Sequence, residues 1–160
     1  MGRIIADVSV SLDGFMAGPN VSAAYPMGEG GDQLHRWFFG ARPNDTDSEM
    51  VKRLFASIGA VVLGRRTFDI GFDEWDQQTP FPAPTFVVTH RGKDPLPTSS
   101  GTFTFVTEGA ATAVEQARAA AGEKNTAVMG GELTQELMRL GLIDELHIHM
   151  VPLLLGDGLR

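Results

Sequence analysis

The sequence predicts an α/β domain with a largely parallel sheet, on three observations. Apolar runs at residues 60–63, 85–88 and 126–129 are continuous rather than alternating, as strands covered on both faces are. Helical stretches at 110–121 and 132–140 lie between and after them, which is the order of βαβ units. Two runs lead straight into a corner that opens a helix, Gly64-Arg65-Arg66-Thr67 and Gly130-Gly131.

Taken in order, residues 3–12 have strand period. Ile4, Ala6, Val8, Val10 and Leu12 share one face, and Asp7, Ser9 and Ser11 share the other. Such a polar face either lines a cleft or turns to water. Residues 13–44 are long and irregular, broken by Gly and Pro, with one short helical stretch at 33–39 (QLHRWFF). Loops of that length are lids, binding loops or plain disorder; a lid over residues 13–31 is expected. Thr46-Asp47-Ser48-Glu49 reads as a capping box. The helix behind it would bury Val51, Leu54, Phe55 and Ile58. Residues 76–84 and 94–101 read as loops and 102–106 as a strand. The alanine-rich helix 110–121 stops at Gly122, and the helix 132–140 at Gly141, with Leu133, Leu137 and Leu140 on its apolar face. Residues 142–151 complete the pattern as a long final strand. The 160 residues fit a single domain with a real core.

Composition excludes several functions. Hydrophobic content of 42% with 21% charged residues is that of a soluble globular chain. No apolar run approaches the ~20 residues that span a bilayer, and no signal-peptide layout opens the chain; a cytoplasmic location without membrane contact is expected. The absence of cysteine removes disulfides, thiolate catalysis and thiolate metal sites. A net charge of −7 without a basic stripe argues against nucleic acid as a partner. Neither a Walker loop nor a Gly-x-Ser-x-Gly elbow occurs. His147 and His149 have the spacing of two metal ligands on a strand but lack a third, so they read as surface or interface residues and no metal is expected. His35 and Asp32 do not make a convincing catalytic pair.

The candidate site residues cluster at the corners. Right-handed crossovers place Gly64–Thr67, Thr89–Arg91 and Gly130–Gly131 at one carboxyl edge of the sheet. Gly130 and Gly131 would bring bare N–H groups and a helix N-terminus to an anion such as a pyrophosphate, although a tight turn alone also uses Gly-Gly. Arg65 and Arg66 stand where the helix dipole disfavours cations, a conflict that an anionic ligand resolves; the Thr67 hydroxyl can join them. Arg91, after Thr89 and His90, either has the place of an arginine that takes a ribose 2′-phosphate or belongs to an ordinary polar loop. Asp13 either places a carboxylate near a substrate or makes an Asp-Gly turn. Asp7 is a proton relay or substrate anchor if buried, and otherwise a solvated carboxylate. With Ser9 it hints at a hydrogen-bonding heterocycle, and Trp37 is a further substrate candidate.

Four segments in this order, VSVSLDGFMAG (8–18), VVLGRRTFD (61–69), FVVTHR (86–91) and VMGGELTQELMRLGLIDELHIHMVPLLLGDG (128–158), resemble bacterial dihydrofolate-reductase-like proteins. These share the C-terminal reductase domain of the bifunctional riboflavin-biosynthesis deaminase/reductase. The resemblance implies a three-layer α/β/α sandwich with a mixed, mostly parallel sheet and an NADPH-dependent reductase acting on a pterin- or pyrimidine-like substrate, as a homodimer. By position, Gly64, Arg65, Arg66 and Thr67 would hold the ADP half. Thr89, His90 and Arg91 would contact the adenosine and its 2′-phosphate, and Gly130, Gly131, Glu132 and Leu133 the pyrophosphate. Phe15, Met16 and Ala17 would border the nicotinamide, with Asp13 on the substrate side; Asp13, Asp7 or a bound water would deliver the proton. The acidic pterin-binding residue of dihydrofolate reductase has only Asp32 as a counterpart, in a poorly matching context, which argues against folate. The family pattern also continues past Gly156-Asp157-Gly158, so a closing strand or hairpin is expected to be missing or supplied by another chain. A pyrimidine reductase of riboflavin biosynthesis, which acts on a 5-amino-6-ribosylamino-pyrimidine, and a non-catalytic nucleotide-binding or dimerisation module are the other readings.

Overall fold

A computed structural model describes residues 1–39 and 45–160. Their strands are β1 (Ile4–Ser11), β2 (Ile58–Gly64), β3 (Thr85–Val88), β4 (Leu96–Pro97), β5 (Thr102–Val106), β6 (Asn125–Met129) and β7 (Glu145–Val151). The helices are α1 (Arg36–Phe39), preceded by a 3-10 turn at Gly31–His35, α2 (Asp45–Ser57), α3 (Arg65–Glu74), α4 (Ala110–Ala121) and α5 (Gly131–Arg139). The strands form one sheet in the order β4-β5-β3-β2-β6-β1-β7. The pairs β1–β6, β2–β6, β2–β3 and β3–β5 are parallel, and β4 adds an antiparallel edge to β5. The fold is thus α/β with a mostly parallel sheet. None of the described helices is long and apolar enough to cross a membrane.

The described residues fall into two compact units, Met1–Asp7 with Ser57–Leu146, and Val8–Ala56 with His147–Arg160. In the first unit the sheet is covered on both faces. One face carries Ile4, Ala6, Ala60, Val62, Phe86 and Val128, packed under Ala113, Val114 and Ala117 of α4 and Leu133 and Leu137 of α5. Alanine along α4 lets that helix approach the strands closely. The opposite face carries Phe103 and Phe105 on β5, and α3 docks there through Phe68 and Phe72. The Phe68 ring lies 5.0 Å from Phe103 and 5.2 Å from Phe105, both edge-to-face, and 5.1 Å from Phe72. Continuous apolar strands follow from this double cover, since the central positions of β2, β3 and β6 are buried on either face. Asp144 ties the entry to β7 back onto β1. Its carboxylate accepts from the Ile4 N–H at 2.7 Å and from Arg118 at 3.0 Å.

Several local expectations are corrected. The α2 helix begins at Asp45, so Thr46 lies inside its first turn and the Ncap position falls outside the described residues. Ile58 belongs to β2 rather than to that helix. Loop 94–101 contains the short strand β4, whose Pro97 suits an edge because it has no N–H to offer a neighbour. Leu140 follows the last turn of α5 and is 54% exposed, because the helix ends before its apolar stripe reaches that position. The final strand begins at Glu145, three residues after Leu142. On β1 the burial runs against simple alternation: Ser9 and Ser11 are buried and Leu12 is 58% exposed.

Candidate functional site

The first unit brings the corners together. In register, Leu63 stands beside Met129 and Gly64 beside Val88, so β2, β3 and β6 end at one level. Gly64 leads into α3 and Gly130 into α5; neither helix start has a side-chain cap, and α3 has no acidic residue in its first turn. Both starts therefore keep N–H groups that an anion can take up. Gly130 has φ 100°, and a Cβ built there would stand 2.5 Å from the Thr67 Oγ1. The positive φ favours glycine at this corner, and the missing Cβ leaves room for the Thr67 hydroxyl at the α3 helix start. This bare cradle is what a diphosphate requires from the backbone.

The side chains around it are partly engaged. Arg65 bonds Asp69 at 2.8 Å and lies over the Phe68 ring at 5.9 Å. Arg66 approaches Glu132 at 4.0 Å. Glu132 sits in the first turn of α5, where it favours the helix but would repel an anion; the Arg66 guanidinium offsets that charge. These pairs are exposed and individually weak, so an incoming phosphate can compete for both arginines. Leu133 is a core residue, and its contribution to a ligand is limited to its backbone N–H. At the end of β3 the buried Thr89 donates its N–H to the Val106 carbonyl, and its hydroxyl accepts from the Arg91 N–H at 3.1 Å. That turn holds His90 and Arg91 outward, both exposed. Asp7 is half-buried on β1 within the same unit.

The second unit holds Ser9, Asp13, Phe15, Met16, Ala17 and Trp37. The Asp13 carboxylate accepts from the Ser11 hydroxyl at 2.6 Å and from the N–H groups of Leu155 at 3.1 Å and Gly156 at 2.7 Å. These bonds favour the charged form and lower its pKa from 3.8 to about 2, the Ser11 bond contributing most. The Ser11 hydroxyl also accepts from the Phe15 N–H at 2.9 Å. Met16 and Ala17 pair with Leu159, at 2.6 and 3.0 Å. The buried Phe15 ring lies 4.5 Å from the Arg160 guanidinium carbon. Gly158 packs so tightly on the Ala17 carbonyl that any Cβ would collide with it. Beyond these residues the loop closes on itself through Gly18 N–H to the Met27 carbonyl (2.9 Å) and Glu29 N–H to the Pro19 carbonyl (2.8 Å).

Trp37 donates its indole N–H to the buried Ser9 hydroxyl at 2.9 Å, and its ring lies 4.3 Å from that of His149, tilted by 31°. The sequence reading set His149 aside with His147, yet it forms half of this aromatic platform. The period-2 spacing put His149 on one face of β7, but no local signal connects it to a tryptophan more than a hundred residues away. Asp32 lies within 3.4 Å of Arg36. Burial lowers the pKa of His35 and favours its neutral form.

Because the Asp13 pKa is lowered on folding, its contribution to stability is complete above pH 3.8 and is lost as pH falls through about 2. The Tm difference between the protein and its Asp13→Asn variant is therefore expected to be constant from pH 7 to 5 and to shrink between pH 4 and 2. Thermal melts across that range check it.

Parallel strands that end at one level in glycine-capped helix corners define an α/β domain with two helix N-termini side by side at the carboxyl edge of its sheet. The chain belongs to the RibD C-terminal domain family, which it matches over residues 3–160. It is also similar to the solved structure of a protein from Shewanella sp. PV-4 that is named for riboflavin biosynthesis. The two share 26% identity with a TM-score of 0.72, over 99% of this chain and 81% of the other. A comparison with curated proteins gives no match. The family is of reductase type.

Proposed function

We propose that this protein is an NADPH-dependent reductase that delivers hydride to a small pterin- or pyrimidine-like heterocycle. The observation that carries the reading is the Gly130–Thr67 contact, which joins two uncapped helix starts at the end of adjacent parallel strands. The residues fit a dinucleotide: Gly64, Arg65, Arg66 and Thr67 would hold its ADP half, and Gly130, Gly131 and the N–H groups of Glu132 and Leu133 its diphosphate. His90 and Arg91 would take the 2′-phosphate beside Thr89. Met16 and Ala17 are the proposed nicotinamide neighbours, and Ser9, Phe15 and Trp37 the proposed substrate contacts. NADPH, when bound, supplies the hydride; the chain's own work is to hold it, orient it and exclude water. Asp7 or a bound water is the proton source most consistent with the low Asp13 pKa.

Arg91→Ala is expected to weaken NADPH binding by about tenfold or more, the scale of a lost charge-assisted bond, and to leave NADH nearly unchanged. Equal losses for the two cofactors would refute the 2′-phosphate role. Bound cofactor without turnover of any pterin, pyrimidine or quinone would instead support the non-catalytic reading. The Shewanella relative is named for riboflavin biosynthesis, so the first substrate to assay is an intermediate of that biosynthesis.

A cytoplasmic homodimer is the proposed setting. The edge strand β7 exposes Leu146, Ile148 and Met150 at alternate positions, and such an edge invites pairing with a second chain. Sedimentation of the protein and of an Ile148→Lys variant tests it: a dimer lost in the variant supports that edge, and a monomeric parent overturns it.

A further inference from the structure

We propose that Asp13 is a positioning residue, whose carboxylate locks the C-terminal arm, residues 152–160, onto the loop that carries Phe15, Met16 and Ala17. The inference rests on the reductase reading for its catalytic consequence and on geometry alone for the lock. Asp13 is the hub of a closed ring of bonds. Its own oxygens take Ser11, Leu155 and Gly156, while Ser11 Oγ also takes the Phe15 N–H. Three backbone contacts continue the seam on either side: Leu12 N–H to the Leu153 carbonyl at 2.9 Å, Met16 N–H to the Leu159 carbonyl, and Leu159 N–H to the Ala17 carbonyl. Gly158 against Ala17 leaves no room for the seam to slide.

A carboxylate suits this place for a specific reason. Two neighbouring N–H groups and a hydroxyl converge on it, and only an acceptor with two free oxygens satisfies all three. A general acid must instead carry a proton and release it to a substrate. Every bond that Asp13 makes holds the charged form in place, so its chemistry is that of an anchor. The segment 13–18 is then a wall with one conformation, set by residues that lie about 140 positions further along the chain.

Hydrogen exchange on the protein tests the lock. Asp13→Asn keeps the shape but offers one acceptor oxygen in place of two. The amides of Leu155, Gly156 and Met16 are expected to exchange roughly tenfold faster or more, as for a lost charge-assisted bond. Ser11→Ala, which removes one donor and spares the Asp13 carboxylate, should raise exchange at Phe15 and to a smaller degree at Leu155; it also serves if Asp13→Asn does not fold. Unchanged exchange at these amides in either folded variant overturns the proposal. In steady-state assays with NADPH, Asp13→Asn should raise KM for substrate more than it lowers kcat and keep the shape of the pH profile. Loss of kcat together with one limb of that profile would make Asp13 the proton donor and overturn the positioning role. If the parent protein turns over no substrate, the reductase reading fails while the exchange rates still decide the lock.

Discussion

Gly130→Ala is expected to cost the protein about 2 kcal/mol of stability and to weaken NADPH binding at least tenfold. Two independent penalties meet at this position. At φ 100° and ψ 127° an L-residue is strained, by about 1–3 kcal/mol. The new methyl would also stand 2.5 Å from the Thr67 hydroxyl oxygen, so the Thr67 side chain must turn away from the corner. The methyl and the displaced hydroxyl crowd the N–H groups proposed to hold one diphosphate, and misplacement of a ligand by about 1 Å can cost a hundredfold in function. For a chain of this size a 2 kcal/mol loss lowers Tm by roughly 4–8 °C. Melting curves with and without NADPH separate the two effects. Removing the steric part with Thr67→Ala in the same chain should recover some Tm but not affinity, since Thr67 itself belongs to the proposed cradle. A Gly130→Ala protein that binds NADPH as the parent does would remove the observation on which the reductase reading stands.

Phe68→Ala is expected to destabilise the fold by about 3–5 kcal/mol, a large part of the roughly 5–15 kcal/mol that holds a domain of this kind together. Phe68 is buried, and its ring meets Phe72, Phe103 and Phe105 at 5.0–5.2 Å. It is the main anchor of α3 on the second face of the sheet, and α3 begins with Arg65, Arg66 and Thr67. Losing the ring should therefore loosen the helix start as well as open a cavity. The KM for NADPH should rise while kcat at saturating cofactor stays near that of the parent. Excess NADPH should restore part of the Tm, because a ligand at a hundred times its Kd adds about 2.7 kcal/mol to the native state. Phe72→Ala, on the same aromatic face but half-buried, should follow the same direction with a smaller loss. A Phe68→Ala protein with parental Tm would show that α3 is held by something other than this cluster.

The strands of the first unit and the corners that follow them are legible in the sequence. Each is written locally: Val61-Val62-Leu63 then Gly64, and Ala127-Val128-Met129 then Gly130, are continuous apolar runs meeting residues that permit a sharp turn. The parallel arrangement followed from the helices between them and the fixed hand of crossovers. Helix ends are less legible, because capping patterns overlap by a residue or two: the Thr46–Glu49 pattern reads as a cap, yet Thr46 lies inside α2. The Leu140 error has the same origin, a periodic stripe continued past the turn at which the helix stops.

The second unit resisted the same reading. Asp13-Gly14 looks like a turn, and Ser9 and Ser11 look like a solvated strand face. What gives them their surroundings are partners from further along the chain: the Leu155 and Gly156 N–H groups for Asp13, Leu159 for the loop after it, and His149 for the Trp37 that bonds Ser9. Local order is encoded by period and by backbone preference, which act over a few residues and leave a pattern in the string of letters. The roles of Asp13 and His149 depend on contacts closed over more than a hundred residues, where nothing in the neighbouring letters records which N–H or ring will arrive. Amino-acid order alone thus specified a parallel α/β scaffold with glycine-bearing corners at one edge, while folding in three dimensions chose which N–H groups reached the Asp13 carboxylate and which histidine met the tryptophan.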